Sequence, residues 1–347
     1  MSSLPYVDAV GVVAKVGMCL TLVMNSFLIY ITIYHIKNIK GVYKYLIILL
    51  ALLGNIFSVM EIFVHPFMHS YNASYVYFST GDVFGASKAV KTALILIYSE
   101  IYLLIICVLT IQFVNRYFLI SNSEWMGSFS GWGINWWLLY LLLFTTIWAC
   151  SGYVCLPDDC SIEYLRDEML AEYNQSSEDV AGFFIVAFEK KSGQGKTLRA
   201  NSMMCVSGYS MGLGIQYIII IFCGVKIHTN IRKNLVMASS KKGKIQSQLF
   251  KTLVFQITAP SLFYHAPAFA MFMVPFFDWK LSVPSGIMIS LFNIYPAIDT
   301  MILMFMVTEY HQIIGKMVEN GLSAALEWVR KMTSRTAGSE ISPTTEP

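Results

Sequence analysis

The sequence predicts an all-α membrane protein: a bundle of seven transmembrane helices with its N-terminus outside the cell. Only 13% of the 347 residues are charged and 56% are hydrophobic, whereas roughly a quarter of a soluble domain is charged. Seven apolar stretches approach or exceed the ~20 residues that a helix needs to cross hydrocarbon. The predicted spans cover about residues 10–36, 45–64, 92–115, 131–153, 203–226, 250–274 and 283–308.

The basic residues predict the orientation, because short loops rich in Lys and Arg stay on the cytoplasmic side. Residues 226–251, between spans five and six, hold seven Lys or Arg and no acid. Residues 35–44, between spans one and two, hold three Lys and no acid, whereas residues 155–199 hold nine acids against five bases. The C-terminus is therefore predicted inside. Span one acts as signal anchor, because no basic segment precedes it to form a cleavable signal.

The outer loops carry candidate modification sites. Asn72 and Asn174 each begin an Asn-x-Ser glycosylation sequon and lie in loops predicted to face outward. Cys155 and Cys160 open the second outer loop, an oxidising location where they either pair locally or remain free. Cys205, in contrast, is interpreted as a small apolar residue of span five.

Several short sequence blocks appear in order along the chain, from about residue 25 to about residue 315. One block is GVYKYL at 41–46, followed by HP at 65–66 and HSY at 69–71. The others are QFVNRY at 112–117, EYLRDEM at 163–169, CGVK at 223–226, LFKTLVFQ at 249–256 and YPAID at 295–299. Together these blocks resemble the nematode serpentine chemoreceptors of the Str type.

The resemblance implies a chemosensory, olfactory receptor in the plasma membrane of sensory cilia. Its expected partners are the lipid bilayer, a small odorant or soluble chemical cue, and a heterotrimeric G protein at the cytoplasmic face. Thr300 and His311 depart from the Pro and Arg usual in the family. Both lie at the cytoplasmic end, so the departures bear on coupling efficiency more than on fold.

Arg116 ends span three between Asn115 and Tyr117. An arginine at this depth is costly unless it is paired or hydrated. The resemblance implies that such an arginine restrains the inner helices and then meets the G protein when they part. The alternative is a positively charged anchor that reaches lipid phosphate.

Helical phase predicts which residues of span three contact a ligand. Tyr98 lies eighteen positions before Arg116, which is a whole number of turns at about 100° per residue. Tyr102 falls within about 40° of that line and Ile95 within about 60°. Glu100 is about 160° away and is therefore not the expected ligand counter-ion. Ordinary helix packing is the alternative for the tyrosines.

Span six offers Tyr264 and His265 as further ligand contacts. They lie between Pro260 and Pro267, and proline kinks a helix by removing a backbone donor. A kinked span six is either a moving part of activation or a static bend. His265 has no partner at metal-ligand spacing, so neither a metal site nor a cofactor is expected.

In span seven, Asp299 follows Pro296 by three residues. A carboxylate inside the membrane should face the bundle, and we interpret Asp299 as a relay toward Arg116, with Asn25 of span one as a candidate link. Residues 281–308 contain no lysine. A retinal Schiff base is therefore excluded.

Two amphipathic helices are predicted outside the spans. In the second outer loop, apolar residues at helical spacing over 162–173 indicate a helix that is either a lid or a surface element. After span seven, residues 310–330 should form a helix along the inner membrane surface. The receptor domain thus covers residues 1–331, and residues 332–347 are expected to be a disordered tail.

Other function classes fit the sequence less well. A ligand-gated channel or transporter is the alternative, but neither a charged pore-lining stripe nor repeated halves are evident. No metalloprotease motif or paired aspartates indicate an enzyme. The net charge of +3 is explained by topology and does not indicate nucleic-acid binding. Aromatic and aliphatic residues on the predicted pocket face favour a small neutral or apolar ligand.

Overall fold

The computed structural model describes residues 4–81, 85–190, 196–233, 241–277, 279 and 282–339. Over these ranges the chain forms a helical bundle with a small β-sheet at its outer end. The helices are α1 (Leu4–Tyr34), α2 (Val42–Val64), α3 (Lys88–Ile120), α4 (Ile134–Val154), α5 (Asp159–Tyr173), α6 (Ala200–Lys233), α7 (Lys241–Pro260), α8 (Ala266–Met273), α9 (Gly286–Met306) and α10 (Thr308–Ser339). The strands are β1 (Pro66–Tyr71), β2 (Ser74–Ser79), β3 (Gly182–Val186), β4 (Phe188–Lys190), β5 (Lys196–Leu198) and β6 (Ser282–Pro284).

The transmembrane helices agree with the predicted spans in number and order. Within the described residues, six segments are long and apolar enough to cross a membrane, namely α1, α2, α3, α4, α6 and the sixth span that α7 and α8 share. The seventh span, α9, meets the same criterion together with α10, against which it is bent by 91°. Several helices extend beyond their predicted ends, because apolar length marks only the part of a helix that lies in hydrocarbon.

The sixth span is irregular where its prolines lie. Helix α7 ends at Pro260, Ser261–His265 form a single π-helical turn, and α8 has Pro267 in its first turn. Proline cannot donate the usual backbone hydrogen bond, and single π-turns occur frequently at functional sites. The predicted break is therefore present, and the extra residue of the π-turn determines which side chains face α6.

The C-terminal helix is longer than predicted. Helix α10 continues to Ser339, so residues 332–339, expected in the disordered tail, are helical. Residues 340–347 lie outside the described part of the chain. The composition is that of a disordered segment, but extending an existing helix costs far less than nucleating one. Val318, Leu322 and Leu326 share one exposed apolar face.

Helix α3 lies in the centre of the bundle and contacts α2, α4, α6 and α7. Two apolar cores result, one toward each membrane face. The contact of α4 with α6 depends on small residues: Gly208 lies directly against Ser151, and a Cβ on Gly212 would meet the Trp148 ring at 3.3 Å. The small-x-x-x-small spacing of span five thus allows close helix approach.

The sheet at the outer end was not predicted from the sequence. Four strands pair in the order β3-β2-β1-β6, and we call this sheet the roof. Side chains alternate along its strands. Phe67, Val76 and Phe78 pack with α5 on the outer surface. The inner surface presents Met68, Tyr75, Tyr77, Phe183 and Ile185 to the bundle.

Of the two alternatives for Cys155 and Cys160, local pairing is wrong, and so is the interpretation of Cys205 as a small apolar residue of span five. Cys155 forms a disulfide with Cys205, with a Cα–Cα distance of 5.9 Å, and Cys160 is free and exposed. Cys155 directly follows α4, and Cys205 lies in the second turn of α6, which packs along α4. The two cysteines therefore meet inside the bundle, whereas Cys160 begins α5 on the surface.

Candidate ligand cavity and inner switch

A cavity of about 180 Å³ lies in the outer half of the bundle, directly beneath the roof. None of the described residues that line it is Asp, Glu, Lys or Arg. Such a site binds mainly through apolar contact, with a few polar groups to orient the ligand. Its walls are Phe57, Met68, Tyr75, Tyr77, Tyr98, Ser99, Tyr102, Trp148, Phe183, Ile185, Tyr209, Ser210, Leu213, His265, Ala268, Phe269, Phe272 and Phe292.

Three of the five candidate ligand residues line this cavity: Tyr98, Tyr102 and His265. Ile95 is fully buried in the same apolar core but is not part of the wall. The side chain of Tyr264 lies outside the described part of the structure. Glu100 is absent from the wall, as its position on the opposite face of α3 suggests, and its carboxylate accepts no hydrogen bond from the described residues.

The cavity tyrosines of α3 are held by aromatic and polar neighbours. The Tyr98 ring stacks on Phe57 at 4.5 Å between centroids, and its hydroxyl donates to the buried carboxylate of Glu61. Tyr102 makes edge contacts with His265 and Phe292, each at 5.7 Å. The wall is therefore a connected aromatic cluster that fixes its own side chains.

The roof is attached to α5 and to the loop before α9 by one polar cluster. His69 Nε2 lies 2.9 Å from Glu168 of α5, and the Tyr173 hydroxyl lies 2.9 Å from His69 Nδ1. Ser282 of β6 donates to the same Glu168 oxygen at 2.7 Å. Burial lowers the pKa of His69 below its ordinary value, although Glu168 and Glu172 act in the opposite direction.

The position of α5 decides whether the predicted helix of the second outer loop is a lid on the cavity or a surface element: it is a surface element. Leu165, Met169 and Tyr173 of α5 pack on the outer surface of the roof, and no α5 residue lines the cavity. The sheet itself covers the cavity, and α5 lies over the sheet. The helix predicted from the apolar spacing of 162–173 is confirmed, but it is separated from the cavity by the roof.

At the inner end of α3, Arg116 is buried, with 2% of its surface exposed. Its guanidinium lies 3.3 Å from the centre of the Tyr43 ring in α2, a cation–π geometry. It also donates to Gln246 in α7. Arg116 thus connects α2, α3 and α7 near the predicted cytoplasmic face.

The two residues adjacent to Arg116 in sequence lie in different surroundings. Asn115 is buried, and its Nδ2 has no partner among the described residues. Tyr117 is half-buried and makes an edge contact with Phe222 of α6 at 6.0 Å. No acidic residue beside Arg116 holds it locally, so its contacts to other helices are its main restraint.

The comparisons with known proteins agree with this architecture. Residues 10–315 match the family described as "Serpentine type 7TM GPCR chemoreceptor Str". This chain belongs to the Str family of serpentine seven-transmembrane chemoreceptors. It is 40% identical over 306 residues to the G-protein coupled receptor str-33 of Caenorhabditis elegans, covering 87% of this chain and 89% of the relative.

Two further similarities are more distant. The Str receptor described here is 25% identical over 316 residues to the serpentine receptor class r-10 of Caenorhabditis elegans, covering 90% of this chain and 92% of that one. The crystal structure of squid rhodopsin superposes with a TM-score of 0.60 at 13% identity, covering 92% and 87% of the two chains. The predicted family and the seven-helix fold class are therefore confirmed. The chain is a multi-pass membrane receptor of a family that is not an enzyme class.

Asp299 of this Str receptor lies close to Arg116 and its contacts with Tyr43 and Gln246, a group that we call the inner switch. It is buried and accepts a hydrogen bond of 3.3 Å from Tyr295 in its own helix. Asn25, Tyr43 and Asp299 line one small cavity of about 20 Å³, together with Pro296. Because the Tyr43 ring also contacts Arg116, this cavity adjoins the inner switch.

The expected link through Asn25 takes a different form. Asn25 accepts a hydrogen bond of 2.5 Å from Thr300 and donates to the Ala51 carbonyl at 3.0 Å. A proline at position 300, the residue that the family resemblance implies, has no hydroxyl to make the first contact. The departure of this Str receptor at Thr300 therefore adds a polar link between α1 and α9.

Most of the cavity wall was missed from the sequence, and the missed residues come chiefly from the roof and α6. One signal was available for β1 and β2. Tyr71 and Ser74 flank an Asn-Ala turn, with the run YVYF at 75–78 after it and Phe67 and Tyr71 before it, which is a hairpin pattern. The run GFFIV of β3 is also typical of a strand. Neither β3 nor β6 shows which strand it pairs with, because that pairing joins residues distant in sequence.

Proposed function

We propose that this Str receptor is an olfactory receptor that binds a small, neutral or apolar molecule in the cavity beneath the roof and activates a heterotrimeric G protein. The observation that carries the proposal is the aromatic wall without a charged side chain among the described residues. A charged ligand in that wall would lose its hydration without gaining an opposite charge. Membership of a family of G-protein-coupled chemoreceptors supports the coupling.

The proposed activation path runs along the sixth span. His265 lies in the cavity wall, and the π-turn that carries it joins α8 to α7. Gln246, nearer the other end of α7, accepts a hydrogen bond from Arg116. A ligand that displaces His265 would move α7 about the break at Pro260 and release Arg116 from α7. Asn115, Tyr117, Pro296 and Asp299 are the neighbouring groups that we assign to the same switch.

The ligand class is tested by G-protein activation in cells that express the receptor. We expect neutral volatile molecules to activate it, and Tyr102→Ala to raise the half-maximal concentration at least about tenfold through lost aromatic contact. Tyr140→Ala is the matched control, because Tyr140, like Tyr102, is a half-buried tyrosine of the bundle but lies outside the wall. Activation only by charged peptides or amines would contradict the proposal.

We further propose that the N-terminus and the roof face outward, in the ciliary plasma membrane of chemosensory neurons, and that Asn72 and Asn174 are glycosylated. Asn174 ends α5 and is exposed, and Asn72 lies in the turn between β1 and β2. Digestion with a glycosidase should therefore shift the receptor on a gel, and Asn72→Gln with Asn174→Gln should abolish the shift. An N-terminal epitope stained only after permeabilisation would overturn the orientation, and a tagged receptor absent from cilia would overturn the location.

A further inference from the structure

A chain of three hydrogen bonds runs from the sixth span to the cavity wall. The Ser261 hydroxyl donates to the Ile257 carbonyl one turn earlier. The Tyr217 hydroxyl of α6 lies 2.9 Å from Ser261 Oγ and also contacts His265 Nδ1. The π-turn Ser261–His265 places both of its terminal side chains against Tyr217.

Counting hydrogens along this chain assigns the donor in each contact. A carbonyl oxygen only accepts, and a hydroxyl has a single hydrogen, so Ser261 uses its hydrogen on Ile257. The hydrogen between Tyr217 and Ser261 therefore comes from Tyr217. The hydrogen between Tyr217 and His265 must then come from Nδ1 of His265.

The tautomer of His265 follows. A neutral imidazole carries one N–H, and no acidic residue lines the cavity in the described part of the chain to stabilise an imidazolium. Charge inside the membrane is also costly. With its hydrogen on Nδ1, the ring leaves Nε2 as a bare acceptor, and the hydrogen bonds of the described residues include none to that nitrogen.

A second group of fixed polarity lines the same cavity. Trp148 is 6% exposed, and its Nε1–H, which can only donate, has no acceptor among the described residues. The Tyr102 ring lies beside both groups, 5.7 Å from the His265 ring and 6.4 Å from the Trp148 ring. Nε1 is nevertheless enclosed and exposes almost no surface to the cavity. The remaining polar groups of the wall are chiefly Tyr and Ser hydroxyls, which can donate or accept. His265 Nε2 is therefore the acceptor of fixed polarity in this wall.

We infer that the cavity selects small apolar molecules that carry a hydroxyl or N–H group, with His265 Nε2 accepting the ligand's hydrogen bond. A hydroxyl suits the site because it carries the hydrogen that Nε2 can accept. His265 is then the specificity-determining residue, and Tyr217 positions it by fixing the tautomer. The inference rests on the proposed function, because it assumes that this cavity is the ligand site.

The tautomer itself is measured on the receptor alone. Nitrogen-15 NMR of histidine-labelled receptor in lipid nanodiscs distinguishes the two ring nitrogens by their chemical shifts, and His265→Gln identifies the relevant signal by its loss. We expect Nδ1 to be protonated and Nε2 to be bare. A signal with the proton on Nε2 would overturn the inference while leaving the proposed function intact.

Ligand selectivity is measured with cyclohexanol, cyclohexanone and cyclopentyl methyl ether, which have the same number of heavy atoms. We expect cyclohexanol to bind at least about tenfold more tightly, because the other two leave a buried acceptor unpaired. Equal or tighter binding of the ketone or the ether would overturn the inference. Failure of all three to bind would contradict the proposed ligand site, and the inference with it.

Two variants separate the role of Tyr217 from a general loss of packing. Tyr217→Phe removes the hydroxyl that fixes His265, so the ring can present N–H to the cavity and the preference for the alcohol should fall toward unity. Tyr140→Phe removes the hydroxyl of another half-buried tyrosine, which donates to Gln216 outside the cavity, and should leave the preference unchanged. A preserved preference in Tyr217→Phe would contradict the positioning role.

Discussion

Arg116→Ala is expected to abolish ligand-stimulated G-protein activation while leaving surface expression intact. A decrease in ligand-stimulated activation of at least about tenfold corresponds to ~1.4 kcal/mol. The physical reason is position: the guanidinium is 2% exposed and joins Tyr43 of α2 to Gln246 of α7. A merely structural anchor would reach the lipid headgroups instead of lying beneath an aromatic ring. Activation is measured as nucleotide exchange on the G protein, alongside surface staining of the same cells.

Two variants provide the controls for Arg116. Lys44→Ala removes another positive charge from the same end of the bundle, where the ammonium donates to the Ile33 carbonyl at 3.2 Å, and should leave activation unchanged. Gln246→Ala removes the acceptor of the hydrogen bond from Arg116 to α7 and should raise activity in the absence of ligand. Unchanged G-protein activation in Arg116→Ala would return this residue to the role of a positively charged anchor.

The sequence predicted those parts of the site that depend on one helix at a time. Tyr98 and Tyr102 were identified because helical phase is fixed by local geometry, and both line the cavity. The break in the sixth span was identified because proline acts on its own helix. His265 follows from the same break, although only the π-turn explains why it faces Tyr217.

The sequence did not predict the parts that depend on pairing between distant segments. Tyr75 faces the cavity because β2 pairs with β3, with Tyr75 opposite Ile185, across more than a hundred residues. Such pairings gain their free energy from contacts that no local pattern records. The disulfide is a second example, because Cys160 is nearer to Cys155 in sequence and Cys205 is nearer in space.

Replacing either cysteine of the disulfide is the second change with a large expected effect. Cys155→Ser or Cys205→Ser should lower the free energy of unfolding by about 2–5 kcal/mol and reduce surface expression. The bond closes a sequence separation of 50 residues that includes α5 and β3. The Cys155 carbonyl also accepts a hydrogen bond of 2.9 Å from Phe184 of β3. Loss of the bond should therefore loosen the roof and weaken ligand binding as well as stability.

Cys160→Ser is the matched control, because Cys160 is exposed and unpaired although it lies only five residues from Cys155. It should change neither the melting temperature of the purified receptor nor ligand affinity. Mass spectrometry of peptides alkylated before and after reduction identifies the bonded pair directly. A linkage between Cys155 and Cys160, or a Cys205→Ser receptor as stable as the unmodified one, would contradict the assignment. The Cys205→Ser receptor could reach the cell surface and still bind ligand weakly. The disulfide would then shape the cavity indirectly, by holding α4 and the roof strand β3 in place, since neither cysteine is part of the cavity wall.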